Sequence, residues 1–270
     1  GKLGQTIARN AVQAGTVPVY VGTAPVNLIK NYKKLGIINT PVKLSNLPNA
    51  QQTIGYSDMW KQFTLCEAIS AHFNNALGNI GPIYVINVLD PDINRKTQEN
   101  AQNINLMFAN GQATIKSDTI ILDTLALEGF VEGIDYIVDY NFAKGTAIIK
   151  SIGTKKIDGT VAASYLEVDF DGIDADTIVG GVTASGEYSG FGALQLLYQE
   201  YYQVCNLLMA PGWSHIPQVY NAMLTAAEQI NGHWDAFVLA DIPLEREENE
   251  GTVAIQTIDE AKDWKKQNGY

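Results

Sequence analysis

Two stretches of this chain, TVPVYVGTAP at residues 16–25 and IYVINVLD at 83–90, run through β-branched, aliphatic and aromatic residues without regular polar alternation. A half-solvated strand alternates, because successive side chains point to opposite faces. An unbroken apolar run has both faces covered, as inside a parallel sheet. Between the two lies DMWKQFTLCEAISAHFNNAL (58–77), which spaces Trp60, Phe63, Leu65, Ile69, Phe73 and Leu77 broadly along one side of a helix. Asp58 reads as its N-cap and Gly78 as its stop. Parallel strands need a crossover, and strand–helix–strand supplies one as a βαβ unit.

From about residue 95 to 185 the texture changes. Residues 94–110 read as a helix. Beyond them TIKSDTIILD, DYIVDYN, GTAIIKSIG and VAASYLEVDF are short alternating strands separated by Gly, Asn and Asp turns. The pattern predicts an antiparallel β-domain over 95–185, set into a discontinuous α/β body of 1–94 and 186–270. The body resumes with a helix over 190–202, a strand over 204–211 and a helix over 216–230, with Pro217 at a permitted early position and Gly232 past its end. A strand over 234–243, a solvated acidic loop over 244–251 and a helix over 257–267 follow, the last opened by a Thr257–Glu260 capping box. The predicted fold class is α/β: one interrupted, doubly wound, mainly parallel sheet with helices on both faces, plus the inserted antiparallel β-sandwich-like domain.

Lys and Arg number 18 against 29 Asp and Glu, a net charge of −11, so no basic surface is expected to attract nucleic acid or an anionic membrane. No apolar stretch is long enough for membrane insertion. The opening GKLGQTIARN carries no signal-peptide apolar region and no Met, as expected of a trimmed N-terminus. Cys66 and Cys205 each sit in an apolar run without a CxxC pair, and read as buried structural thiols of a reducing compartment.

Motifs that carry chemistry are incomplete. There is no GxxxxGK[ST] loop, no GxGxxG and no GxSxG elbow. Gly190-Phe191-Gly192 lacks the third glycine and reads as a helix entry. A triad in the order Asp, His, Ser has no serine after His215 or His233, and His72 lies in the middle of an amphipathic helix. Ser214 and His215 adjoin in a loop after a strand, where α/β folds place sites, but lack an orienting third group. Capping of the next helix by Ser214 is the preferred reading. Asp169, Asp171, Asp174 and Asp176 admit a weak Ca²⁺ site without EF-hand spacing; a solvated turn is preferred. Tyr198, Tyr201 and Tyr202 form an aromatic stripe suited to a core or an interface. No cofactor, catalytic residue or metal ligand is therefore assigned.

Residues 209–243, MAPGWSHIPQVYNAMLTAAEQINGHWDAFVLADIP, are more specific. Ala210, Pro211, Gly212, Trp213 and Ser214, then Trp234, Phe237, Asp241 and Pro243, resemble the signature region of contractile phage tail sheath proteins, also found in pyocin-like particles. TVPVYVGTAPVN resembles the first strand of that family, and GIDYIVDYNFAKGTAIIK (133–150) its inserted β-sandwich. The resemblance implies a subtilisin-like fold without protease chemistry. It implies a structural subunit that polymerises with copies of itself in a helical array of six-fold rings around a tail tube protein, and contracts to drive that tube through the cell envelope. The place implied is the virion tail, assembled in the host bacterial cytoplasm. It also implies that the chain stops before a C-terminal domain and has a short N-terminal arm. The competing readings are a hydrolase or nucleotide-binding enzyme on a doubly wound sheet, and a carbohydrate- or receptor-binding particle protein.

Overall fold

A computed structural model describes residues 15–154, 156–248 and 251–270. The opening decapeptide read for a leader, and Asn249 and Glu250 of the acidic loop, lie outside the described residues.

The first body segment runs β1 (Pro18–Gly22), β2 (Pro41–Leu44), α1 (Leu47–Thr53), α2 (Leu65–Phe73) and β3 (Ile83–Asn87). The middle of the chain contributes β4 (Gln102–Phe108), β5 (Gln112–Lys116), β6 (Ala126–Leu127), β7 (Tyr136–Asn141), β8 (Thr146–Ser151) and β9 (Gly159–Tyr165). There follow α3 (Ala175–Val179), β10 (Gly180–Val182), β11 (Tyr188–Gly190), α4 (Leu196–Tyr201), β12 (Leu207–Met209), α5 (Pro217–Ala227), β13 (Phe237–Leu239), β14 (Glu245–Glu248), β15 (Gly251–Ala254) and α6 (Ile258–Gln267).

The body sheet has the order β13-β12-β1-β3-β2. β12 and β3 flank β1 in parallel and β13 extends β12 in parallel, while β2 adds to β3 antiparallel. The continuous apolar runs are therefore the central strands: every residue of β3 is buried, and Val19 and Val21 of β1 are fully so. Burying side chains of this size stabilises by roughly 1.5–3 kcal/mol each. The two sheet edges are treated differently. β2 carries Pro41 and an exposed Lys43, and the Lys43 N–H donates to the Tyr201 hydroxyl at 3.3 Å. Proline, lysine and a capped N–H all discourage a further strand. β13, at the other edge, is Phe-Val-Leu, with Phe237 81% and Leu239 55% exposed.

The middle segment forms two three-stranded antiparallel sheets, β4-β9-β6 and β5-β8-β7. Alternation is clear in β7, where Tyr136, Val138 and Tyr140 face inward. Its core, with Phe108, Ile120, Tyr136, Ala147 and Ile149, is distinct from the body core, but each takes a side chain from the other's stretch of sequence. Leu28, between β1 and β2, is buried in the β-core; Ile121, between β5 and β6, is buried in the body core. Leu166, Val168, Ile173 and Ile178 also belong to the body core.

Several local expectations are corrected. The helix expected over 58–77 is confined to α2; Phe63, Leu65 and Ile69 are buried, but Trp60 and Leu77 lie 39% and 88% exposed. Asp58 does not cap it. The Thr64 N–H is held by the Thr23 hydroxyl, which starts the helix late, and Asn75 Nδ2 bonds the Ala71 carbonyl where it ends. Residues 94–110 form no α-helix but a short 3-10 turn at Gln98–Asn100 and then β4. The acidic loop is a hairpin, Glu245 opposite Ala254 and Arg246 opposite Val253. The capping box at Thr257 and Glu260 is present as expected, and Pro217 sits in the first turn of α5. Gly180 and Gly190 are required where β10 meets β11: both have positive φ (55° and 51°), and a Cβ on either would approach backbone carbonyl oxygen to 2.3 Å.

Candidate functional site

An open α/β sheet gathers its ligands at the carboxyl ends of its parallel strands. Here those ends are occupied by the chain's own polar groups. After β1, the Thr23 hydroxyl donates to the Gln62 carbonyl at 2.6 Å and accepts the Thr64 N–H at 3.0 Å. At the end of β3, Asn87 Oδ1 accepts the N–H groups of Ala24 and Leu89 at 2.8 and 3.1 Å. Thr23, Thr64 and Asn87 are all buried. They fasten the strand ends to the loops that follow, since a buried donor without a partner is costly.

Of the residues picked out by the sheath resemblance, Ala210, Gly212, Trp213, Ser214 and Asp241 gather at the adjoining ends of β12 and β13. Ala210 is buried, and its carbonyl accepts the N–H groups of Trp213 and Ser214, closing a turn. Gly212 in that turn has φ +76°, and a Cβ there would lie 3.0 Å from Thr64 Cγ2. Asp241, beyond β13, accepts the Gly212 N–H on Oδ2 at 2.8 Å, while the Asp241 N–H donates to Ser214 Oγ, also at 2.8 Å. The Tyr270 hydroxyl donates to the Ser214 carbonyl at 2.9 Å, and its ring stacks on Tyr220 at 4.0 Å. Burial pushes the Tyr270 phenol up to about 12. Ala-Pro-Gly-Trp-Ser and Asp-x-Pro are thus two halves of one clasp across neighbouring strands. Trp234 stands apart, its ring 5.5 Å from Tyr198, which in turn meets Tyr202 at 6.0 Å. Phe237 projects from the open edge strand.

Ser214 does not cap α5, contrary to expectation. The N-cap position is Ile216, with no side-chain hydrogen bond, and the Ser214 hydroxyl is engaged by Asp241 instead. Fully buried in this way, Ser214 is not presented as a nucleophile. Burial lowers the basicity of His215 below the ordinary imidazole range, and the nearby Asp241 carboxylate opposes this only in part. His72 is held at both nitrogens, Nδ1 by the Ile80 carbonyl and Nε2 by the Tyr20 hydroxyl, each at 2.7 Å. Because a carbonyl only accepts, Nδ1 carries a proton and donates it to Ile80. Cys66 and Cys205 are buried, and burial pushes both thiols up to about 12, far from a thiolate nucleophile.

Of the acidic residues, Asp174 caps α3 in a reciprocal box with Thr177, whose N–H and hydroxyl hold its carboxyl below the usual range. Asp169 Oδ1 accepts the Asp171 N–H, and Asp176 accepts from Gln218. Among the described residues no group of three or more His, Cys, Asp or Glu side chains gathers as a metal site. Thr23, Thr64 and Asn87 escaped sequence reasoning; the signal for Thr23 and Asn87 was a polar residue closing an apolar run.

The arrangement is an α/β sheet beside two antiparallel three-stranded sheets, with the end of the first sheet clasped by its own side chains. No family model matches the chain. By sequence it is related to a phage structural protein: it is 28% identical over 256 residues to the tail sheath protein of Burkholderia phage BcepMu, an alignment taking in 90% of this chain and 50% of that protein. The chain thus spans about half the length of the curated relative it matches, and the resemblance read from residues 209–243 is upheld by that relation.

Proposed function

We propose that the chain is part of a structural subunit of a contractile tail sheath, which polymerises with copies of itself around a tail tube in the virion tail and is assembled in the host bacterial cytoplasm. In this reading it is not an enzyme and takes no cofactor. The body is a doubly wound sheet covered by helices on both faces, formed by 1–94 and 186–270, with 95–185 as the inserted β-sandwich-like domain, whose last part supplies Leu166, Val168, Ile173 and Ile178 to the body core. The signature residues Ala210 to Ser214, Trp234, Phe237, Asp241 and Pro243 serve structure: Ala210, Gly212, Ser214 and Asp241 clasp β12 to β13, and Trp234 and Phe237 lie on the outer side.

The observation that carries this reading is the β13 edge. An edge strand without charge, proline or bulge, with Phe237 and Leu239 exposed, suits addition of another polypeptide. Leu244, 81% exposed, and Tyr202, 79% exposed, extend the apolar character of the chain around it. The clasp at the sheet end speaks against a hydrolase, because the loop that would present a nucleophile is fastened down.

Sedimentation of the chain from micromolar to millimolar concentration, with electron microscopy of the most concentrated samples, tests the proposal. We expect concentration-dependent self-association that is weakened in Phe237→Asp. Association unchanged by that substitution removes the β13 edge from the reading. Turnover of an ester, peptide or nucleotide that is lost in His215→Gln overturns the structural role itself.

A further inference from the structure

Residues 117–123, which run between β5 and β6, make several of the contacts between body and β-domain. Asn27, fully buried between β1 and β2, donates from Nδ2 to the carbonyls of Asp118 and Ile120 at 3.0 and 2.8 Å. Beside it Lys30 reaches the Leu122 carbonyl at 3.2 Å and pairs with Asp123 and Glu132 at 3.1 and 2.8 Å. The Asn31 N–H bonds both carboxylate oxygens of Asp123. On the far side of the stretch, Asp118 accepts the Ser57 hydroxyl from the body at 2.6 Å and the Tyr140 hydroxyl from β7 at 2.5 Å. Leu28 and Ile121 then cross in opposite directions, each buried in the other unit's core.

The chain itself passes between the units only twice, around 95–101 and 166–174. The two crossings run side by side, Arg95 opposite Val168 and the Lys96 N–H on the Glu167 carbonyl, so they form a narrow waist between the units. We infer that residues 117–123 are a lock that fixes the β-domain in one orientation on the body, with Asp118 and Lys30 as its polar bolts and Leu28 and Ile121 as its plugs. The bolts are the releasable part. The Lys30 ion pairs and the Ser57–Asp118 contact are made by side chains outside both cores, so either can open without exposing Val19, Ile86, Phe108 or Ile149. Each unit keeps its own core when the bolts open, and the angle between the units then rests on Leu28, Ile121 and the Asn27 hydrogen bonds. This holds whatever the chain assembles into.

The test is amide hydrogen exchange on the whole chain, comparing Ser57→Ala, Lys30→Met and Asp118→Asn, singly and in the Lys30→Met/Asp118→Asn pair, with the unaltered protein. Exchange should rise on the order of tenfold in segments 26–31 and 117–123 in the pair, while the β1–β3 and β4–β9 ladders stay within about twofold. Small-angle scattering of the pair should show a broader distribution of interdomain distances. A uniform rise across all strands would mean that the stretch is ordinary core, and unchanged exchange at 117–123 would mean that the bolts hold nothing; either result overturns the lock. Lys30→Arg keeps the charge and should restore slow exchange. Ser57→Ala, the mildest change, keeps the comparison decisive should the pair fold poorly.

Discussion

Ser214 and Asp241 hold each other just past the ends of neighbouring strands, 27 residues apart in sequence: the Asp241 N–H donates to Ser214 Oγ, and the Asp241 carboxylate reaches back to the Gly212 N–H. Ser214 is fully buried, so Ser214→Ala leaves the Asp241 N–H without that partner and should lower stability by about 1–3 kcal/mol. Asp241→Asn keeps an acceptor for Gly212 and should cost ~1 kcal/mol or less. Urea titrations of the two variants check the order; an Asp241→Asn variant weaker than Ser214→Ala contradicts the clasp.

The crossed plug makes a second prediction. Leu28 lies outside 95–185, yet Leu28→Ala should destabilise the β-domain first. A buried leucine truncated to alanine costs ~2–5 kcal/mol. Hydrogen exchange should place the loss in β5, β7 and β8, whose core Leu28 joins, more than in β1 or β3. Loss confined to the body strands would refute the assignment.

The reach of the sequence was uneven, for physical reasons. β1 and β3 were legible because strands covered on both faces need apolar residues at every position, and the Thr257–Glu260 box and Pro217 because local capping chemistry has a local signature. β4 was misread because its polar positions, Gln102, Asn103 and Asn105, break the apolar pattern at a strand still half open to solvent. The β14–β15 hairpin hid behind a glutamate-rich segment, since its pairing comes from main-chain bonds and not from an apolar face. The clasp residues were found through resemblance, but what Ser214 does depends on Asp241, and no local pattern reports a partner that far along the chain. The lock was invisible for the same reason: Asn27 and Asp118 are 91 residues apart.

The limits of the β-domain can be tested by excision. Gln102 and Tyr165 are direct partners in the β4–β9 ladder, so the chain enters and leaves side by side. Replacing 102–165 by a short Gly/Ser linker, with Leu28→Ser to avoid an exposed plug, should leave a cooperatively folded body by circular dichroism. Removing all of 95–185 should not, because Leu166, Val168, Ile173 and Ile178 go with it. Equal behaviour of the two deletions would show that these four side chains do not support the body.

His215 gives the chain a pH response. Its folded-state basicity lies below the unfolded imidazole value, so the unfolded chain binds the proton more readily. Stability is complete above the unfolded value near 6.5 and falls as the pH drops from there through the lower folded value. Melting temperature should decline between pH 7 and pH 5.5, by about a degree or two from this half-buried group. In His215→Gln that part of the decline should vanish. An identical pH profile for the variant would show that other groups set the response.

The side-by-side entry and exit at Gln102 and Tyr165 has a consequence over evolutionary time. An insertion whose ends already touch can lengthen, shrink or be exchanged without altering the frame that carries it. The substitutions such an exchange must respect are few: the plug at Leu28, the plug at Ile121 and the polar pairs beside them. Relatives of this chain should therefore differ most in β4 to β9 and least in β1, β3 and the clasp, so that the β-domain behaves as a heritable cassette on a conserved frame.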